Sequence, residues 1–151
     1  MVDFQQFKYS PGWNIPIYAT PFENATLSKR SETLDGAEVR YLSMQATGED
    51  LFGPASISFA FDIPSAGTYK VEMEAVTGPD QGQIQMFRNE RPAGEAVDLF
   101  SSRRQKSKLL LIGELPLQAG KNHLFFRLTG KNPQSVGLGF TPVSFLFSRV
   151  D

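Results

Sequence analysis

The carboxylates at Asp35, Glu38, Glu49, Asp50, Glu72, Glu74, Asp80 and Asp98 are the groups from which acid–base chemistry could be built. Cleaving a glycosidic bond takes two of them across one cleft, one with a raised pKa. Glu72 and Glu74 alternate with Val71 and Met73, which puts both acids on the outer, solvated side of a strand. His123 is the sole histidine. No serine lies in a Gly-x-Ser-x-Gly elbow to act with it, so a nucleophile–base–acid triad is not written in the chain. In the local alternation His123 falls with Phe125 and Arg127, opposite Leu124, and reads as a structural histidine where a strand begins. With no cysteine, disulfides, thiolate catalysis and thiolate metal sites are excluded together. Zinc is not expected from one histidine alone. The run Arg103-Arg104-Gln105-Lys106 could grip a planar anion, because guanidinium offers paired donors. It reads equally as a solvated loop balanced by Glu90, Glu95 and Asp98.

Positioning such residues falls to strands, since the dominant period is two. Ile57, Phe59, Phe61 and Ile63 alternate with Ser58, Ala60 and Asp62. After a Pro64–Gly67 turn, Tyr69, Val71, Met73 and Ala75 alternate with Lys70, Glu72 and Glu74. The short connection predicts that these two strands pair as a hairpin. Further strands are expected over 83–87, 96–100, 109–117 (an apolar run that reads as fully buried), 124–128 and 143–148. A polar loop spans 101–107 and a glycine-rich loop 129–139. Before residue 56, strands over 15–20, 25–30 and 38–44 are expected. Many short strands separated by turn signals, with no stretch of helical period, predict one all-β antiparallel sandwich or barrel over residues 1–151.

With 15 basic and 16 acidic residues, the balance gives nucleic-acid binding no support. No run of 18 apolar residues marks a membrane span. The start, MVDFQQFKYSPGW, lacks the charge and apolar stretch of a signal peptide. That fits either a cytoplasmic protein or a domain of a longer secreted chain.

Four segments carry a resemblance. Phe61-Asp62-Ile63-Pro64-Ser65-Ala66-Gly67-Thr68-Tyr69 resembles the "apolar-x-Ile/Val-Pro-x-Ala-Gly-x-Tyr" stretch of galactose-binding-like jelly rolls. Thr77-Gly78-Pro79-Asp80-Gln81-Gly82-Gln83 is similar to a "Gly-Pro-Asp-Tyr-Gly" segment of accessory domains in large secreted bacterial proteins, with Gln81 where an aromatic is usual. Leu117-Gln118-Ala119-Gly120-Lys121-Asn122-His123-Leu124 and Thr129-Gly130-Lys131-Asn132-Pro133 match two further patterns of the group, in the same order. The group includes the carbohydrate-binding modules of bacterial glycoside hydrolases. The resemblance therefore implies a jelly-roll sandwich that binds a polysaccharide or oligosaccharide without cleaving it. Many members hold a structural calcium through an Asp in the last strand and acids near the first. Here the last strand, Pro142-Val143-Ser144-Phe145-Leu146-Phe147, has no carboxylate and Glu23 is the nearby acid, so calcium is disfavoured and no cofactor is expected.

Sugar recognition combines an aromatic platform under the C–H face with planar polar partners for the hydroxyls. The expected ligand-binding residues are Trp13, Tyr18, Tyr41, Asp80, Arg103, Arg104, Asn132 and Gln134, drawn from loops and unassigned aromatics. Trp13, the sole tryptophan, either stacks on a ligand or caps an open end of the core. An alternative is an assembly module joining subunits or domains through apolar outer positions, Phe87, Phe125 and Leu146. A small hydrolase using loop carboxylates is a third reading. If Trp13 is a platform, Trp13→Ala abolishes retention on an immobilised polysaccharide that holds the wild type.

Overall fold

The computed structural model describes residues 6–9, 25–46 and 56–150. The expected strand over 15–20, and Trp13, Tyr18 and Glu23, lie outside the described residues. Within them there is no helix, and the strands run β1 (Gln6–Tyr9), β2 (Ala25–Leu34), β3 (Ala37–Ala46), β4 (Ser56–Ile63), β5 (Gly67–Thr77), β6 (Gln83–Arg88), β7 (Arg91–Pro92), β8 (Val97–Asp98), β9 (Gln105–Lys106), β10 (Leu110–Leu117), β11 (Gly120–Gly130), β12 (Gly139–Phe140) and β13 (Pro142–Arg149). One sheet is ordered β1-β13-β5-β10, with β9 on the end of β5; the second is β4-β11-β6-β7, with β8 on β6; a third is β12-β3-β2. Every strand pair is antiparallel.

The two large sheets face each other across phenylalanine rings. Phe59 and Phe61 of β4 and Phe126 of β11 project from one sheet, Phe145 and Phe147 of β13 from the other, and all are buried. Ring centroids lie 4.7 Å apart for Phe61–Phe147, 5.0 Å for Phe126–Phe145 and 5.7 Å for Phe59–Phe145, in tilted arrangements. Such pairs add about 0.5–1.5 kcal/mol each beyond the area they bury. Leu42 and Met44 of β3 enter the same core, while Val39 and Tyr41 pack on Val76, in a separate small cluster.

Two expectations are corrected. β4 and β5 do not pair: β4 bonds to β11 and β5 to β10 and β13, in opposite sheets. The short Pro64–Ala66 link crosses from one sheet to the other, so that both apolar faces meet across the core. The Tyr69 hydroxyl, 2.7 Å from the Ser65 carbonyl oxygen, ties the crossing down. Second, the run 109–117 is not buried throughout. Ile112, Leu115 and Leu117 face the core, but Leu111 is 61% exposed, because β10 ends its sheet and breaks register between Leu111 and Gly113. The strands expected over 25–30 and 38–44 are present, longer than expected, as the two arms of one hairpin with ten residues per arm. Its turn, Asp35-Gly36, has both residues at positive φ (51° and 83°), the form that matches strand twist.

At one edge the sheets touch backbone to backbone. Ala93–Gly94, just after β7, crosses Ile112–Gly113 of β10; a Cβ on Gly94 would fall 1.8 Å from the Ile112 oxygen, and one on Gly113 2.2 Å from the Ala93 oxygen. Neither oxygen belongs to a movable side chain. Gly94→Ala is therefore expected to cost about 3 kcal/mol in urea unfolding. Gly36→Ala, where space is open and only the positive φ resists, should cost about 1 kcal/mol.

Candidate functional site

One end of the sandwich is organised by the turn Gly78–Gly82. Its backbone is clamped from two sides. Gly78 N–H donates to Leu99 O (3.2 Å) and Leu99 N–H to Gly82 O (3.1 Å); Gly82 N–H donates to Gly139 O and Gly139 N–H to Asp80 O, both 2.9 Å. Gln81, fully buried, replaces the usual aromatic of the resembled pattern. Its Nε2 donates to Asp80 Oδ1 (3.0 Å) and its Oε1 accepts from the Thr141 hydroxyl (3.0 Å). A buried amide satisfied on both ends fixes the carboxylate beside it. Gln45 Nε2 reaches the other Asp80 oxygen at 3.3 Å.

Against this turn the β2–β3 hairpin lays a polar face, and between them runs an open groove of about 320 Å³. Ser28, Arg30, Glu32, Tyr41, Ser43, Gln45, Asp80 and Arg104 line it. Pairing sets the order, with Arg30 opposite Tyr41 and Ser28 opposite Ser43. Arg104 comes from the loop after β8. Its Nε donates to Glu32 Oε1, and its Nη2 to the Tyr41 hydroxyl at 2.8 Å, with the guanidinium carbon 5.4 Å from the Tyr41 ring centre. The Tyr41 hydroxyl in turn donates to Glu32 at 2.9 Å. Partial burial alone would raise the Glu32 carboxyl, but hydrogen bonds from Arg104 and Tyr41 outweigh it and hold Glu32 below its ordinary value. Burial and the Glu32 carboxylate raise the Tyr41 phenol above its own. The groove is thus balanced in charge and preset as planar donors and acceptors.

The structure brings three expected site residues, Tyr41, Asp80 and Arg104, into this groove. Tyr41 is buried, so its hydroxyl, not its ring face, contributes. Arg103 pairs with Asp35 at 2.9 Å at the hairpin tip. Asn132 donates to Asp98 Oδ2 at 2.9 Å and accepts from the Gln134 N–H, also 2.9 Å. Asn132 and Gln134 therefore stand at the same end of the sandwich but outside the groove. The basic loop is balanced by Glu32, Asp35 and Glu74, not by Glu90, Glu95 and Asp98 as expected, because the β2–β3 hairpin folds alongside it. The sequence reading missed Ser28, Arg30, Glu32, Ser43 and Gln45. The Asp35-Gly36 hairpin signal would have placed them. Among the described residues no group of three histidine, aspartate or glutamate side chains could hold a metal ion.

A second charged cluster centres on Glu74, which accepts from Ser144 (2.8 Å) and Lys106 (3.0 Å), with Lys8 at 3.7 Å. Burial pushes its carboxyl up, yet the Ser144 and Lys106 contacts prevail and its pKa is lowered. A carboxyl lowered on folding contributes stability above its unfolded value, and this is lost as pH falls through the folded value. Glu74→Gln should cost about 1–2 kcal/mol at neutral pH. Thermal unfolding followed downward from pH 6 should show wild type and variant converging below the ordinary carboxylate range.

No known family pattern matches the chain, and no curated protein is significantly similar to it. Solved structures are similar to it in fold. A Paenibacillus xanthan lyase superposes over 95% of this chain with TM-score 0.73 and 22% identity. A Podospora anserina GH26-CBM35 β-(1,4)-mannanase does so over 97% with TM-score 0.60 and 12% identity. The chain spans 13% and 28% of the lengths of these two proteins. A family 35 carbohydrate-binding module from Clostridium thermocellum matches over 94% of this chain and 96% of its own, with TM-score 0.56 and 14% identity. The described strands thus form an all-β jelly-roll sandwich, the fold shared with the family 35 carbohydrate-binding module.

Proposed function

We propose that the protein is a non-catalytic carbohydrate-binding module that holds a neutral stretch of polysaccharide or oligosaccharide in the hairpin groove, as an accessory part of a larger secreted protein. The observation that carries this reading is the Glu32–Tyr41–Arg104 cluster facing Asp80 and Gln45 across an open groove. Vicinal sugar hydroxyls donate to carboxylate and amide oxygens and accept from amide and guanidinium N–H groups, often in pairs. The cluster is held by bonds among its own members, so little side-chain freedom is lost when a ligand arrives. Glu32 and Asp80 flank one groove, but a glycosidase acid needs its proton retained near neutral pH, and Glu32 is shifted the opposite way. This favours binding over cleavage. Two of the structural neighbours contain carbohydrate-binding modules, which agrees with the proposal.

Affinity electrophoresis through gels containing neutral polysaccharides tests it. Retardation by at least one is expected, and Arg104→Ala should weaken binding about tenfold or more, since a hydrogen bond to a charged group contributes roughly 1.5–3 kcal/mol. Absence of retardation on every glycan would overturn it. The alternative assembly role is favoured by Leu109 and Leu111, which are exposed on and beside the edge strand β10. A stable dimer in light scattering, dissociated by Leu111→Lys, would then be expected.

A further inference from the structure

β11 spans eleven residues, roughly 35 Å of strand, and its far end carries a second concavity unlike the first. Its outward residues, Lys121, His123, Phe125 and Arg127, alternate with the buried Asn122, Leu124, Phe126 and Leu128. Phe125 is 38% exposed and lies between Ser58 of β4 and Phe87 of β6 in the register. The Arg127 guanidinium rests 4.5 Å from the centre of the Phe87 ring, extending the aromatic surface with a flat cation. A groove of about 280 Å³ opens beside Phe125, lined among others by Arg88, Asn89, Lys121 and His123, and no carboxylate lines it. Asp62 faces Lys121 across the β4–β11 pair but stays outside the groove. Arg88 is oriented by donating to the Pro116 carbonyl.

Arg88 and Asn89 also wall a neighbouring groove of about 670 Å³ that reaches Arg91 and Pro116 and holds one acid, Glu114. The two grooves meet under the β6–β7 turn, where Asn89 and Glu90 both have positive φ (50° and 66°). Glycine would occupy the second position without strain; glutamate does not. An aromatic side chain, basic walls and a second groove sharing Arg88 and Asn89 together fit a polymer with anionic groups.

We propose that this groove is a second binding surface, which takes an anionic glycan bearing carboxylate or sulfate groups, with Phe125 under a sugar ring and Arg88 and Lys121 on the charges. It is chemically distinct from the charge-balanced hairpin groove and stands independently of it. The test is affinity electrophoresis of the intact chain in polygalacturonate, dextran sulfate and neutral galactomannan, at low and high salt. Retardation by polygalacturonate alone identifies carboxylate recognition; retardation by both anionic polymers identifies recognition of the shared negative charge. In either case Phe125→Ala and Lys121→Glu should each weaken it about three- to tenfold while leaving any binding to galactomannan unchanged. Both residues are exposed, and unaltered thermal unfolding would verify that the variants fold. The proposal is overturned by absence of retardation on either anionic polymer, by retardation that survives Phe125→Ala, or by retardation that Arg104→Ala abolishes instead. It is also overturned if light scattering shows Phe125→Ala dissociating an oligomer and no glycan is bound, which would make the face an interface between copies. Binding of galactomannan through the hairpin groove without binding of anionic polymers would overturn this proposal alone.

Discussion

The two sheets have no cysteine and no helix among the described residues to join them, and the contact that holds them face to face is made of phenylalanine rings. Phe59, Phe61 and Phe126 meet Phe145 and Phe147 at tilted angles, and Tyr9 adds edge contacts to Phe61 and Phe147 at 5.2 and 5.4 Å. Aromatic pairs of this geometry are directional as well as apolar. They therefore fix the relative rotation of the sheets, which an aliphatic core would leave looser. The outer faces are then free to carry charge, and each strand can alternate between a core duty and a surface one.

From that frame the hairpin site follows by steps. The sheets hold β5 and β6, whose connecting turn is the Gly78–Gly82 segment. Room is short at the end of that turn and on the strand beside it: a Cβ on Gly82 would meet Leu128 at 2.8 Å, and one on Gly139 of β12 would meet the Gln45 and Gln81 amides at 2.4 and 2.7 Å. The turn's only large side chain pointing inward, Gln81, is spent on orienting Asp80. The substitution of an amide for an aromatic at this position thus removes a possible stacking surface and supplies a positioning group instead. What remains for ligand contact is polar, which is why the groove reads as a hydrogen-bonding site first.

Much of the fold was legible because strands with one buried face write a period of two, as at Ile57–Ile63 and Tyr69–Ala75. Pairing was less legible. A two-fold alternation states which face is buried but not which strand lies alongside, so the Pro64–Ala66 link could not be told from a hairpin turn. Length and apolarity misled at 109–117, where Leu111 is tolerated at a sheet edge. For the site, the sequence pointed to Tyr41, Asp80 and Arg104, because a tyrosine of unassigned role, a turn acid and a loop arginine are unusual groups. It could not show that Glu32 is Arg104's counterion, because the two lie 72 residues apart in sequence and meet only in the folded chain.

The pairing of β1 with β13 has a kinetic meaning. Gln6 to Tyr9 lie against Phe145 to Ser148, so the outermost strand of one sheet is joined to residues near the other end of the described chain. Loop closure over such a separation is entropically costly, and topologies dominated by distant pairings fold slowly. β13 is also the strand between β1 and β5, and it supplies two rings of the core. A ribosome-bound chain would hold β4, β5 and β11 ready yet be unable to close the first sheet until β13 had emerged. Closure of the first sheet is thereby postponed until β13 has been made, and the edge of β5 that β13 will occupy waits unpaired until then.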